Sequence, residues 1–258
     1  MSVSPYDADA RALFEQHAAH VRFEAAPPAS ATTLRAAYEV QRRYVALLVP
    51  QAGTVVAHKI GLTSPRMQAM CGIAEPISGC VLARRVHGTG VQVRRADFGR
   101  LGLEFEIAMR IGRATNAGPY TAQTIRDHVD GVCAAIELVD DRDADYRQLD
   151  VRGLVADNAW NGGIVLSRFA AVWPDLREVE GIVRLDGHEI DRSWGRDVLG
   201  DPFEATAWLA NHQLELGEPL GAGHVVMTGS LVPTRFPTGA GAYHFELVGL
   251  GAVEVRAV

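Results

Sequence analysis

Between Leu101 and Ile111 the chain reads Leu-Gly-Leu-Glu-Phe-Glu-Ile-Ala-Met-Arg-Ile. Successive side chains of a β-strand point to opposite faces. This run therefore puts Leu103, Phe105, Ile107 and Met109 on one side and Glu104, Glu106 and Ala108 on the other. The apolar side must be covered by another layer. The other side carries two carboxylates roughly 6.5–7 Å apart along the strand, where like charges repel and gain little from burial. A hard divalent cation such as Mg2+ would resolve the repulsion, because it takes oxygen ligands and keeps positions open for water or substrate. Glu-x-Glu is also common on a solvated face, and the pattern alone leaves both readings open. Glu137 lies in a second apolar run, Cys133-Ala-Ala-Ile-Glu-Leu-Val139, where an acid is costly unless paired.

The rest of the chain supplies helices and strands in mixed order. Ser4-Pro5 opens a first helix. Ser30 is expected to cap a second, with Leu34, Ala37, Tyr38, Gln41, Tyr44, Val45 and Leu48 along one face and Pro50 and Gly53 ending it. A strand over 55–62 and a short helix from Ser64-Pro65 to Gly72 follow. Further strands are expected over 90–94, 101–111 and 132–139, with a helix from Thr121 to about Val129. Asp186-Gly187 offers the positive φ of a type I′ hairpin turn. Asp201-Pro202-Phe203-Glu204 opens a helix that Gly217 stops, and strands over 225–228, 243–248 and 253–257 complete the pattern. The expected class is α+β, with a mixed or antiparallel sheet curled on itself.

Composition narrows the function. With 258 residues, 48% hydrophobic and 22% charged, the chain is neither disordered nor a small disulfide scaffold. It reads as one large domain or one domain with an appendage. Lys and Arg number 25 against 31 Asp and Glu, and the arginines are scattered, so nucleic acid is not an expected partner. Cys71, Cys80 and Cys133 cannot all pair within one chain and form no C-x-x-C, which weakens zinc and redox readings. The opening residues carry acids where a signal peptide needs positive charge. No stretch approaches the roughly 20 apolar residues of a membrane span. The expected compartment is the cytoplasm, with no membrane contact.

Four more places could carry chemistry. Lys59, in Ala57-His-Lys-Ile-Gly61, is either a desolvated acid/base with a lowered pKa or an edge-strand lysine reaching water. His58 faces the other way and reads as structural. Asp157-Asn158, before Ala-Trp-Asn-Gly-Gly163, either present polar groups to a ligand or form an Asx-turn. Thr228-Gly229-Ser230 could offer a hydroxyl and backbone N–H groups to a carboxylate, or be a simple turn.

Six short motifs occur in one order: Lys59-Ile-Gly-Leu-Thr-Ser64, Glu104-Phe-Glu-Ile-Ala108, Ile136-Glu-Leu-Val-Asp-Asp-Arg142, Val155-Ala-Asp-Asn-Ala159, Leu216-Gly-Glu-Pro-Leu220 and Val226-Met-Thr-Gly229. From about residue 35 onward the chain resembles the 2-keto-4-pentenoate hydratase / 4-oxalocrotonate decarboxylase family, a branch of the fumarylacetoacetate hydrolase superfamily. The resemblance implies a mixed, rolled β-sheet core with flanking helices. A catalytic domain over 54–258 would follow an N-terminal helical portion over 1–53. It implies a divalent metal, usually Mg2+ with Mn2+ as the alternative, on carboxylates matching Glu104, Glu106 and Glu137. It also implies an active-site lysine matching Lys59, and a homo-oligomer. The hydrophobic helix from Asp201 to Leu216 and the β-rich C-terminal half look like more apolar surface than one small roll can hide, which points to an oligomer as well.

The chain departs from the family's hydratases in two places. Pro76-Ile77-Ser78-Gly79 stands where they tend to read Pro-Asp-aromatic-Gly, so an acid that could handle water is missing. Decarboxylase members more often carry Ile there. Trp160-Asn161 stands where small Ser residues are usual, which should reshape the pocket. Asp157, Asn161 or Ser78 would then hold the water. Asn158, Trp160, Asn161, Thr228, Ser78 and Ile77 are the expected substrate contacts, with Lys59 and Asp157 catalytic.

The first functional reading is a metal-dependent hydratase of a 2-hydroxy-2,4-dienoate, with a 2-oxo acid decarboxylase next. Acylpyruvate hydrolysis is the rival within the same metal chemistry, since side chains at the far end of the substrate decide among the three. A non-catalytic subunit bound to an enzyme of the same pathway is the rival of a different class.

Overall fold

The computed structural model describes residues 4–258; Met1 to Val3, part of the stretch weighed against a signal peptide, lie outside them. Helices α1 (Pro5–Ala18) and α2 (Leu34–Ala52) lead into strand β1 (Val55–Gly61), helix α3 (Pro65–Met70) and strand β2 (Ile77–Leu82). Strands β3 (Val86–Gly88), β4 (Val91–Val93) and β5 (Leu101–Ile111) precede helix α4 (Ala122–Ile125) and strand β6 (Val129–Asp140). Helix α5 (Val151–Ala156) and strands β7 (Asn161–Leu166), β8 (Glu180–Leu185) and β9 (His188–Trp194) follow. Helix α6 (Pro202–Glu215) and strands β10 (Val225–Ser230), β11 (Gly241–Leu247) and β12 (Gly251–Ala257) close the fold.

The strands form two mixed sheets, one ordered β2-β1-β10-β5-β6-β7-β3 and the other β4-β12-β11-β8-β9. β1 runs parallel to β10, β3 to β7 and β4 to β12; the other pairs are antiparallel. Leu103, Phe105, Ile107 and Met109 are fully buried, in one core with Val183, Phe245, Val253 and Val255 of the second sheet and Phe203 and Leu209 of α6. The alternation in β5 thus does what its pattern asks: one face makes the inter-sheet core, and the other is free for polar groups. On that other face Ala57, Ala108, Cys133, Ala135 and Met227 keep the layer thin. A further core joins α1, α2 and α5 to Ile77, Leu82, Val139 and Trp160.

Several local expectations need correction. The cap of α2 is Thr33, whose hydroxyl accepts from the Ala36 N–H at 3.1 Å. Ser30 instead gives its N–H and hydroxyl to the Asp9 carboxylate, at 2.7 and 2.5 Å, which ties the linker to α1. α2 runs through Pro50 and stops at Gly53, whose φ of 81° suits glycine. The stretch 77–82, with no strand signal of its own, is the edge strand β2, and Asn161 to Gly163 open β7 rather than finish a turn. α6 buries Phe203, Ala205, Ala207, Leu209 and Ala210 within the chain, so its apolar residues supply no argument for an oligomer. The hairpin at Asp186-Gly187 has the expected positive φ values, 50° and 84°.

Candidate metal centre

Strand register brings the carboxylates together. Glu104 of β5 stands directly across from Glu137 of β6, and Glu106 lies two residues along the same face, opposite Ala135 and Ser230. Lys59 of β1 pairs with Met227 of β10 and Gly79 of β2 and shares that face. One oxygen from each of Glu104, Glu106 and Glu137 lies within 4.8 Å of the others. Glu106 and Glu137 are fully buried and Glu104 is partly exposed. The solvated-face reading of Glu-x-Glu therefore fails here.

Each carboxylate is held by one donor. The Gly229 N–H donates to Glu106 Oε2 at 2.8 Å, the Asn161 amide to Glu137 Oε1 at 2.9 Å and the Thr234 hydroxyl to Glu104 Oε1 at 2.6 Å. Among the described residues, Glu106 Oε1 and Glu137 Oε2 accept no hydrogen bond, and the charge nearest the latter is the Lys59 ammonium, 3.4 Å away. Buried anions with bare oxygens are costly, on the order of several kcal/mol per ion. Three carboxylates facing one ammonium leave a surplus of negative charge that a divalent cation matches. Hard oxygen donors in a converging set are what Mg2+, Mn2+ or Ca2+ take. The residues present fit such an ion.

The electrostatics express the same surplus. Burial, then the neighbouring Glu137 and Glu104, raise the Glu106 carboxyl well above its ordinary range. Burial pushes Glu137 up to about 7, with Lys59 opposing and Glu104 adding to the shift. Burial alone would lower Lys59, but Glu137, Glu104 and Glu106 outweigh it, and the ammonium is held above its usual pKa. Neither sequence reading of Lys59 holds as stated: the side chain is buried and does not reach water, and in the metal-free protein the acids keep it charged. His58, on the opposite face, is pushed down to about 3 by burial and by His224 and His212, as befits a neutral structural histidine.

Two glycines make room. A Cβ on Gly79 would sit 2.6 Å from the Asn158 carbonyl oxygen and 3.2 Å from Lys59 Cγ. Gly229, at φ 108°, could carry no side chain without striking Thr63, and its bare N–H is the one that reaches Glu106. Thr228-Gly229-Ser230 does present an N–H to a carboxylate, and that carboxylate is the protein's own.

The remaining expected contacts are differently employed. Ile77 pairs with Gly61 and so stands on the Lys59 face, two residues beyond it. Asn161 is at the centre, with its Oδ1 buried and accepting no bond. Both oxygens of Asp157 are occupied, by the Arg142 guanidinium and the His17 imidazole, so no free carboxylate is left for acid/base work. Asn158 spends both its polar groups on the Cys80 backbone. Thr228 donates to the Ile107 carbonyl at 2.9 Å, and Ser78 Oγ faces Gln213 Nε2 at 3.5 Å. Trp160 packs edge-on against Phe23 and Tyr146. Thr234, Arg142 and His17 escaped the sequence reading. Thr234 and His17 carry no local motif, Arg142 only closes the third of the six motifs, and His17 and Asp157 are 140 positions apart.

A buried three-carboxylate cluster with an opposed lysine, on the inner strands of a mixed sheet, is a candidate divalent-metal centre. Residues 76–257 match the fumarylacetoacetate hydrolase C-terminal domain family, and the chain belongs to that family. It is 36% identical over 221 residues to a 2-keto-4-pentenoate hydratase of Burkholderia vietnamiensis, covering 84% of this chain and 83% of that one. It is 30% identical over 237 residues to a 2-oxo-hept-4-ene-1,7-dioate hydratase of Escherichia coli, covering 88% and 87%. The 4-oxalocrotonate decarboxylase of Pseudomonas putida G7, solved with magnesium and adipate, has the same fold. Its TM-score is 0.90 at 24% identity, over 100% of this chain and 99% of that one.

Proposed function

We propose that this chain is a divalent-metal-dependent hydratase. It adds water to a 2-hydroxy-2,4-dienoate of the 2-keto-4-pentenoate kind, giving a 4-hydroxy-2-oxo acid, a step in the breakdown of aromatic compounds. The observation that carries the reading is the buried convergence of Glu104, Glu106 and Glu137 beside Lys59. The hydratases at 30% and 36% identity support it. Glu104, Glu106 and Glu137 would hold the cation, taken as Mg2+ with Mn2+ as substitute, whose Lewis acidity favours negative charge on the substrate's 2-oxygen.

The chain's own groups handle protons and water. Lys59, kept charged by its acid neighbours, donates a proton to the terminal carbon of the dienol and takes back the one the 2-hydroxyl loses, which leaves an α,β-unsaturated ketone and a recharged lysine. Water then adds at C4 and a proton enters at C3. Hydration needs a group that orients this water. Ile77 has no polar atom, Asp157 is fully paired and Ser78 faces Gln213, whereas Asn161 Oδ1 keeps a free lone pair at the centre. Asn161 is the water-holding group in this reading.

One observation favours a second reading. An apolar Ile77 on the Lys59 face suits decarboxylation of an oxalocrotonate-like acid, which needs no oriented water. The test is NMR product analysis after incubation with Mg2+ and a panel of dienoates, oxalocrotonate and acylpyruvates. A 4-hydroxy-2-oxo acid from a dienoate is expected. Release of CO2 from oxalocrotonate with no dienoate hydration would replace the first reading by the second. Ile77→Asp is expected to change the hydration rate without creating a new product. Hydration that appears only in Ile77→Asp would mean that the native protein is not a hydratase.

A further inference from the structure

Asn161 reaches Glu137 from the end of a backbone turn that L-residues rarely adopt. Asn158, Ala159 and Trp160 have φ values of 52°, 48° and 60° in succession. Left-handed conformation is unfavourable for a non-glycine residue, and a run of three persists only where its surroundings over-determine it. Here the run is clamped at its start. Asn158 pairs with the edge strand β2 as another strand would, its Nδ2 donating to the Cys80 carbonyl at 2.8 Å and its Oδ1 accepting from the Cys80 N–H at 2.7 Å. One residue earlier, the buried Asp157 carboxylate takes Arg142 on one oxygen and His17 on the other.

Both partners lead back to the start of the chain. Arg142, 1% exposed, donates from Nη1 to the Val21 carbonyl at 2.8 Å and accepts from the Phe23 N–H at 3.0 Å. His17 lies on α1 and stacks on Tyr44 of α2, with ring centroids 5.2 Å apart. None of the three metal-centre carboxylates comes from α1, yet the turn that delivers Asn161 to Glu137 is anchored there.

We propose that His17 is a positioning residue for the metal centre. By holding Asp157 it fixes the left-handed turn 158–160 and thereby the aim of Asn161 at Glu137. The first helix of the chain thus completes a site whose carboxylates all lie in the sheet. The inference rests on the metal reading above, and losing a group that orients a metal ligand commonly costs 10–100-fold in affinity.

The experiment is Mn2+ titration of the metal-free protein, followed by the EPR signal of free Mn2+, with folding checked by near-ultraviolet circular dichroism. His17→Phe keeps the ring on Tyr44 and removes the hydrogen bond; it is expected to weaken Mn2+ binding by about tenfold. His17→Gln, which returns an N–H donor, is expected to restore binding to within about twofold. In an Asn161→Ala background His17→Phe should add nothing, because the two act through one chain of contacts. Should His17→Phe fail to fold, His17→Ala carries the same comparison. An unchanged dissociation constant in the folded variant, no recovery with Gln, or an undiminished effect in the Asn161→Ala background would each overturn the proposal while leaving the metal reading intact. Failure of the unaltered protein to bind Mn2+ would overturn that reading and the proposal with it.

Discussion

Glu106→Gln is expected to abolish tight divalent-cation binding and to lower turnover by roughly three orders of magnitude. Lewis-acid stabilisation supplies several kcal/mol, and each 1.36 kcal/mol is about a factor of ten in rate. Glu106 is the most committed of the three acids: it is fully buried, it takes one N–H from Gly229, and its other oxygen is bare. Gln keeps the shape but supplies no negative charge. Isothermal titration with Mn2+ and a turnover assay at saturating Mg2+ check this; full activity in the variant would remove Glu106 from the centre.

In the metal-free protein the same substitution acts the other way on stability. Glu106 and Glu137 both have raised pKa values, Glu137 reaching about 7 from an ordinary 4.5. A carboxyl whose folded pKa is raised favours the fold while it is protonated. That contribution is complete below about pH 4.5 and lost as pH rises through the folded value. Glu106→Gln removes one such group. In chelator, the variant's advantage in melting temperature over the unaltered protein should therefore widen from pH 5 to pH 7.5. A constant gap would contradict this account.

Lys59→Met is expected to separate catalysis from metal binding. The ammonium lies 3.4 Å from Glu137 and is buried, with Gly79 leaving space for its stem. Removing a positioned proton carrier commonly costs 10²–10⁴-fold, and a loss near the middle of that range is predicted for kcat. Mn2+ affinity should hold or rise, because Lys59 competes with the cation for the same negative charge. A variant that loses metal binding and activity together would make Lys59 a structural counter-ion rather than a proton carrier.

The elements read most clearly from sequence were those whose signal is local. β5 announced itself through alternation, the β8–β9 hairpin through Asp186-Gly187, and α6 through Asp201-Pro202 and Gly217. β2 and β7 did not. Ile77-Ser-Gly-Cys and Asn161-Gly-Gly are glycine-bearing stretches with poor strand propensity, and they become strands through pairing with β1 and β6. Asp157 was singled out as catalytic or water-holding, and its carboxylate is instead paired with His17 and Arg142. Its partners His17 and Arg142 lie far along the chain or in a different local context, and no spacing rule connects them.

What the amino-acid order determined by itself was direction: Glu104 and Glu106 share a face because strand side chains alternate, a steric property of the backbone within a few residues. The resemblance carried by the six motifs added Glu137 and Lys59 to that face. Only the tertiary structure decided what the face meets. The β5–β6 register put Glu137 across from Glu104, and burial beside Lys59 turned a pair that could have been solvated into a cluster with bare oxygens among the described residues. The neighbouring acids also decided the charge state of Lys59, since Glu137, Glu104 and Glu106 together outweigh the desolvation that would lower it. Solvation, register and charge balance depend on residues distant in sequence, so they follow from the assembled fold and not from any single segment.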